Sequence, residues 1–127
     1  MSTIKANDIQ NASGGIPTVK GQRLIPTAWV NFNGTGTVAI RDSEGVSSIT
    51  DVGVGIYDVT FANSMANDDY SFAGSATFSA TAAQGTYVAM SGTNNILTSK
   101  CRLEVRSSDG LVYDAISISG QFLGGQA

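Results

Sequence analysis

Histidine is absent from this sequence of 127 residues. That removes the commonest general base and the commonest neutral metal ligand together. No usual Ser-His-Asp triad can form, and no Ser–Lys pair stands out in its place. The single cysteine excludes an intrachain disulfide and a Cys-based zinc site. On a strand, such a residue is most often a small buried hydrophobe. No apolar run approaches the roughly 18 residues of a spanning helix, so no membrane insertion is expected. The first residues show no basic start followed by an apolar stretch, so no secretory signal is expected either. Without one, the sequons at Asn11-Ala12-Ser13 and Asn33-Gly34-Thr35 read as chance matches. Charge is scarce too: 13% of residues are charged, against about 25% in an average soluble domain. The net charge of -3 and pI near 4.5 argue against a phosphate-binding surface, so no nucleic-acid partner is expected.

What remains is 42% hydrophobic residues, 15 glycines, and many Ser, Thr and Asn. The length fits one domain. A chain of this size buries about 65–70% of its unfolded surface, so an oligomer interface would help its stability. Disorder usually goes with few apolar residues and high net charge, and neither holds here. Uncharged polar residues and turn formers at this density suit short strands joined by many turns.

Residues 1–26 read as an arm and 27–127 as a β-sandwich knob. In the arm, Ile4, Ile9, Ile16 and Val19 are scattered among polar residues with no sustained period. A short helix from Thr3 to Ile9 is one reading, and Asn11-Ala12-Ser13-Gly14-Gly15 a break. Pro17 and Pro26 favour extended conformations before them. The arm is either a frayed terminus or an extended segment lying on a neighbour, and the isoleucines favour the second.

From Thr27 the period is two. Ala28, Val30 and Phe32 share one face, and Trp29 and Asn31 the other. Asn33-Gly34-Thr35-Gly36 is a hairpin signal. Val38 and Ile40 follow, then a turn at Asp42-Ser43-Glu44-Gly45, a short strand 46–50 and a further turn over 51–55. Tyr57, Val59 and Phe61 share a face. A polar loop over 62–69 leads to a long alternation. It sets Tyr70, Phe72, Gly74, Ala76 and Phe78 against Ser71, Ala73, Ser75, Thr77 and Ser79. This second row is small and uncharged, and fits a surface against a partner as well as one facing water. A short strand spans 86–90. In 100–106, Cys101, Leu103 and Val105 point inward and Lys100, Arg102, Glu104 and Arg106 outward. In the last strand Ile116, Ile118 and Phe122 face in, Ser117, Ser119 and Gln121 out, and Gly120 marks a bulge or a close contact. About eight strands with no sustained helix imply an all-β fold, an antiparallel β-sandwich or jelly-roll-like small barrel. A simple up-and-down meander would gather the termini and loops 42–45, 63–69 and 92–99 at one end. Loops 33–36, 52–55, 80–85 and 107–110 would lie at the other.

Candidate chemistry is thin. Asp68-Asp69 beside Tyr70 reads as a carboxylate pair, a Ca²⁺ site or, more economically, a solvated loop, because neighbouring strand residues point opposite ways. Gly53-Val54-Gly55 resembles the start of a nucleotide loop, but a strand follows where a helix is required. Lys100, Arg102 and Arg106 form a positive row, interrupted by Glu104. No pair of carboxylates is nominated for glycan hydrolysis. Trp29, whose neighbour on its face is Asn31, reads as an interface anchor.

The segment 28–43, AWVNFNGTGTVAIRDS, resembles one that recurs in bacteriophage tail-fibre and other virion appendage proteins, of the type found in cyanobacterial and marine phages. So do Val46-Ser47-Ser48-Ile49-Thr50-Asp51, the Tyr57-x-Val59-x-Phe61 strand, and Met65 before Tyr70. The opening residues 2–15 resemble the start of small phage appendage proteins. The likeness covers about half of the chain. It departs at Ile56, where an acidic residue is usual, and at Ala66, where Pro is usual. It implies a non-enzymatic virion protein, assembled in the host cytoplasm, typically a homotrimer, with no cofactor or metal. Ile4, Ile9, Ile16 and Val19 would attach the arm to other virion proteins, and Trp29 and Asn31 would meet a sister subunit. Asn33, Thr35, Gln84, Ser108 and Asp109 would present loops to a host-surface glycan or protein. The alternative is a capsid decoration or cement protein.

Overall fold

The computed structural model describes residues 2–3, 5–10, 12–14, 18–19, 22–23, 26–79 and 85–125. Two two-residue strands, β1 (Thr18–Val19) and β2 (Gln22–Arg23), pair antiparallel in the arm region. No helix occurs among the described residues of 2–10, so the helix expected over Thr3–Ile9 is not found there. Eight longer strands follow: β3 (Ala28–Asn33), β4 (Ala39–Glu44), β5 (Val46–Gly53), β6 (Ile56–Phe61), β7 (Tyr70–Thr77), β8 (Thr86–Met90), β9 (Lys100–Ser107) and β10 (Ser117–Gly124). They form two four-stranded antiparallel sheets in the orders β4-β3-β10-β7 and β5-β6-β9-β8. The all-β sandwich read from the period-two pattern is the fold observed.

The core lies between the sheets and is built from the inward positions of each strand. Ala28, Val30 and Phe32 from β3, Tyr57, Val59 and Phe61 from β6, Cys101, Leu103 and Val105 from β9, and Ile118 and Phe122 from β10 are all buried. Aromatic rings interlock at its centre. Phe61 meets Tyr70 and Phe122 edge-on at 5.6 and 5.1 Å, and Phe32 meets Tyr57 edge-on at 5.2 Å. Such offset pairs add about 0.5–1.5 kcal/mol beyond area burial. Two polar groups in this region are satisfied by geometry. The Tyr57 hydroxyl lies 2.9 Å from both the Gly34 carbonyl and Asp114 Oδ1, and the Tyr70 hydroxyl donates to the Leu97 carbonyl at 2.9 Å. Burial holds both phenols well above their ordinary range, and for Tyr57 the Asp114 carboxylate adds to it. Burial also pushes the Cys101 thiol up to about 11, which keeps it an uncharged core group at neutral pH.

Gly120 makes a close contact, not a bulge. Its pairing with β3 and β7 runs without a shift, and the Phe72 ring lies against it from the inner side. A bulge occurs instead on β4, where the register shifts between Asn31 and Phe32 and leaves Arg41 unpaired. Three local expectations are corrected. Asp42-Ser43-Glu44 belongs to β4 rather than to a turn, and only Gly45, at φ 72°, separates it from β5. Because β4 and β5 lie in different sheets, Gly45 is a corner between layers. Strand β5 runs to Gly53, beyond the expected Thr50, so the turn is confined to Val54 and Gly55. The strand order is also not a meander: β10 sits between β3 and β7, and β9 between β6 and β8.

Every pairing in the two sheets is antiparallel, so the strands still alternate in direction. Thr27, Gly45, residues 62–69, residues 91–99 and Gly125 therefore lie at one end. The turns over 34–38 and 54–55 and residues 108–116 lie at the other.

Candidate functional site

The outer faces of the two sheets differ in chemistry. On the β5-β6-β9-β8 sheet the face is charged and internally paired. Asp58 on β6 stands opposite Arg102 on β9. Arg102 Nε donates to Asp58 Oδ1 at 2.7 Å and Nη2 to Oδ2 at 3.1 Å, while Lys100 Nζ donates to Oδ2 at 2.7 Å. The two cations cover the carboxylate and leave Asp58 only 5% exposed. The Arg102 hydrogen bond, with help from Lys100, holds the Asp58 carboxyl below the usual carboxylate range. Arg106 pairs with Glu104 on the same strand. The positive row seen in the sequence is thus neutralised within the sheet.

The β4-β3-β10-β7 sheet presents the opposite character. Its registers align Trp29 with Gln121 and Ala73, and Asn31 with Ser119 and Ser75. Asp42 and Glu44 flank these rows on β4, opposite Asn31 and Trp29. Between Trp29 and β7 the surface sinks into a hollow of about 570 Å³. Its lining comprises Trp29, Asn31, Ser119, Gln121, Ala73 and Ser75, with main chain of Val30, Gly74 and Gly120 in the floor. The hollow exists because small outward side chains on β7 and β10 face a tryptophan on β3. Asn31 is held in place: its Nδ2 donates to Ser119 Oγ at 2.5 Å and to Ser117 Oγ at 3.4 Å, and Arg41 Nη1 approaches its Oδ1 at 3.4 Å. Arg41 is itself anchored, Nη2 donating to the Ile116 carbonyl at 2.5 Å.

The other residues singled out in the sequence are dispersed. Trp29 and Asn31 share the hollow. Asn33 is committed to its own turn: Nδ2 donates to the Thr35 carbonyl at 2.7 Å, and Oδ1 accepts from the Thr35 hydroxyl at 2.8 Å. Ser108 and Asp109 are exposed at the same end of the sandwich. Asp109 accepts from Ser107 Oγ and from Leu111 N at 3.1 Å, with its carboxyl lowered mainly by the Ser107 hydrogen bond. Ile9 is exposed. Ile4, Ile16 and Gln84 lie outside the described residues, and of Val19 only its place in β1 is described. Asp68 and Asp69 are exposed, and Asn67 Oδ1 accepts from the Asp69 amide at 3.0 Å. Among the described residues no group of three His, Cys, Asp or Glu side chains could hold a metal ion. No described helix is long and apolar enough to cross a membrane.

Gln121, Ser119, Ser75 and Ala73 were legible as outward residues, but not as neighbours of Trp29. Their signal was the small, uncharged alternation of β7 and β10. What joins them is a strand order that local sequence does not encode. Comparison with protein-family models, curated proteins and solved structures gives no match.

Proposed function

We propose that this chain is a non-enzymatic virion structural protein: a tail-fibre or short appendage knob, held to the particle by residues 1–26. The family likeness of segments 2–15 and 28–61 motivates the reading. The observation that carries it is the polarity of the sandwich. The arm enters beside the chain's other end: Thr27 N donates to the Phe122 carbonyl at 2.8 Å, and Thr27 Oγ1 to the Gly124 carbonyl at 2.7 Å. The turns over 34–38, 54–55 and 108–116 project from the opposite end. A knob tethered at the first end offers the second to whatever the particle meets. The commitment of Asp58, Asp109 and Asp114 to structural hydrogen bonds also supports a non-catalytic role.

The test is to purify the particle that carries this chain and locate it with antibody and cryo-electron microscopy. Density on a tail or appendage is expected, together with adsorption that added recombinant knob competes away. Density over the head lattice would instead assign it to capsid decoration. Absence from the particle would overturn the virion reading altogether.

A further inference from the structure

We infer that the hollow on the outer face of the β4-β3-β10-β7 sheet is a binding site for a neutral saccharide. The inference rests on the chemistry of that face and stands apart from where the protein works. A pyranose ring has one face of C–H groups and a rim of hydroxyls. It is recognised by an aromatic surface together with amide and hydroxyl groups that both donate and accept. Trp29 supplies the aromatic surface, Gln121 an amide that can donate and accept, Asn31 an amide oxygen that can accept, and Ser119 and Ser75 the hydroxyls. These groups lie on three adjacent strands at spacings of about 4.8 Å, so together they span roughly 10 Å.

Charge separates this ligand class from others. None of the residues lining the hollow is ionisable; at its β4 side stand Asp42 and Glu44, and Arg41, whose guanidinium is turned to Asn31 Oδ1 and the Ile116 carbonyl. A phosphate, sulfate or carboxylate ligand would meet no cation in the hollow, and a cationic ligand would meet no carboxylate lining it. An apolar ligand would strand the amides and hydroxyls. The hollow, of about 570 Å³, is shallow and open to solvent, so it would hold a sugar along one face rather than enclose it.

Preorganisation is the second argument. Asn31 is fixed between Ser119, Ser117 and Arg41, so little side-chain entropy remains to be lost on binding. Gln121 and Ser75 are exposed and have no intramolecular side-chain partner among the described residues, which leaves their polar groups available. A sister subunit is the occupant expected from the sequence. A stable protein interface usually has an apolar, closely packed centre. Here the centre is a depression of mixed apolar and polar lining, which a second copy would have to fill with a protrusion.

Trp29 is the only tryptophan in the chain, so its fluorescence reports on this hollow alone. The test titrates the full chain with cellohexaose, maltohexaose and chitohexaose, with a heparin hexasaccharide as the anionic control, by emission and calorimetry. At least one neutral oligosaccharide is expected to shift Trp29 emission saturably, with Kd in the millimolar range or below, and heparin to have no effect. Ser75→Arg places a long side chain in the hollow from an exposed position. It should keep the wild-type urea midpoint and weaken binding at least about tenfold, with Trp29→Ala weakening it similarly. Silence from all three neutral sugars, equal binding of heparin, or unchanged affinity in a folded Ser75→Arg protein would each overturn the assignment. A sugar-independent blue shift of Trp29 emission on concentrating the protein would do so too, because it would put a second copy on this face.

Discussion

A β-carbon added at Gly120 would lie 2.6 Å from Cζ of Phe72, a ring that fills the inner side of β10. Either the ring moves or the strand does. Gly120→Ala is therefore expected to cost about 2 kcal/mol, the usual range for overpacking a tight site. In a Phe72→Ala background the same substitution should cost nothing, because the obstructing atoms are gone. Urea denaturation of the four proteins of this cycle measures the coupling, and strictly additive effects would show that the contact is not what requires glycine. At this scale the sequence was informative. The inward residues of β3, β6 and β9, and Ile118 and Phe122 of β10, follow from alternation alone, because a half-buried strand must send every second side chain into the core; Ile116, expected inward with them, precedes β10 and is only half-buried. A glycine in a strand signalled a bulge or a close contact, and only the position of Phe72 decides between them. Gly45 misled for a related reason. Asp-Ser-Glu-Gly carries the residues of a tight turn, yet the chain stays extended through Glu44 and changes sheet at one positive-φ residue. Composition records that the chain redirects; it does not record whether the next strand pairs with the last.

Strands β6 and β9 share more than backbone hydrogen bonds. Their outer faces are tied by Asp58, Arg102 and Lys100, a bidentate fork with a second cation over it. Opposite charges at paired positions across two strands were present in the sequence, but their pairing needed the β6–β9 register, which no local pattern gives. The pKa shift sets the direction of the pH dependence. The Asp58 carboxyl titrates lower in the folded chain than in the unfolded one. Its contribution is thus complete above the unfolded value, near pH 4, and is lost as pH falls through the folded value. Asp58→Asn should be less stable by about 1–3 kcal/mol at pH 6 and should lose less on acidification than the wild type. Urea midpoints from pH 6 to pH 3 provide the comparison. Parallel curves for the two proteins would mean that other carboxylates carry the acid sensitivity. The same ladder bears on recognition: with its cations engaged by Asp58 and Glu104, this sheet has little left to offer an anionic partner.

Taken as one molecule, the sandwich has one face whose charges are largely paired within the sheet and another whose hollowed centre is uncharged and flanked by Asp42 and Glu44 on β4, with its turns divided between two ends. The division by end follows from antiparallel alternation and was readable; the order of strands was not, because it is fixed by partners far apart in the chain. We propose that the chain assembles as a homotrimer, as its proposed role in a virion appendage would imply. Light scattering on the purified chain is expected to give about three times its 13.1 kDa mass. A single-chain mass at high concentration would remove the trimer in solution, leaving the fold unaffected. The central position of β10 has a consequence for how the protein is made. During synthesis, β5, β6, β8 and β9 have all emerged once Ser107 is out, so one sheet has every strand it needs. The other waits for residues 117–124, because β3 and β7 are held apart by the strand that comes last. Until then both carry unpaired edges that invite association with other chains. Closing this sheet joins segments nearly a hundred residues apart, which is slow by loop-closure entropy. Exposure of residues 117–124, rather than the appearance of the earlier core residues, is the event that completes the sandwich.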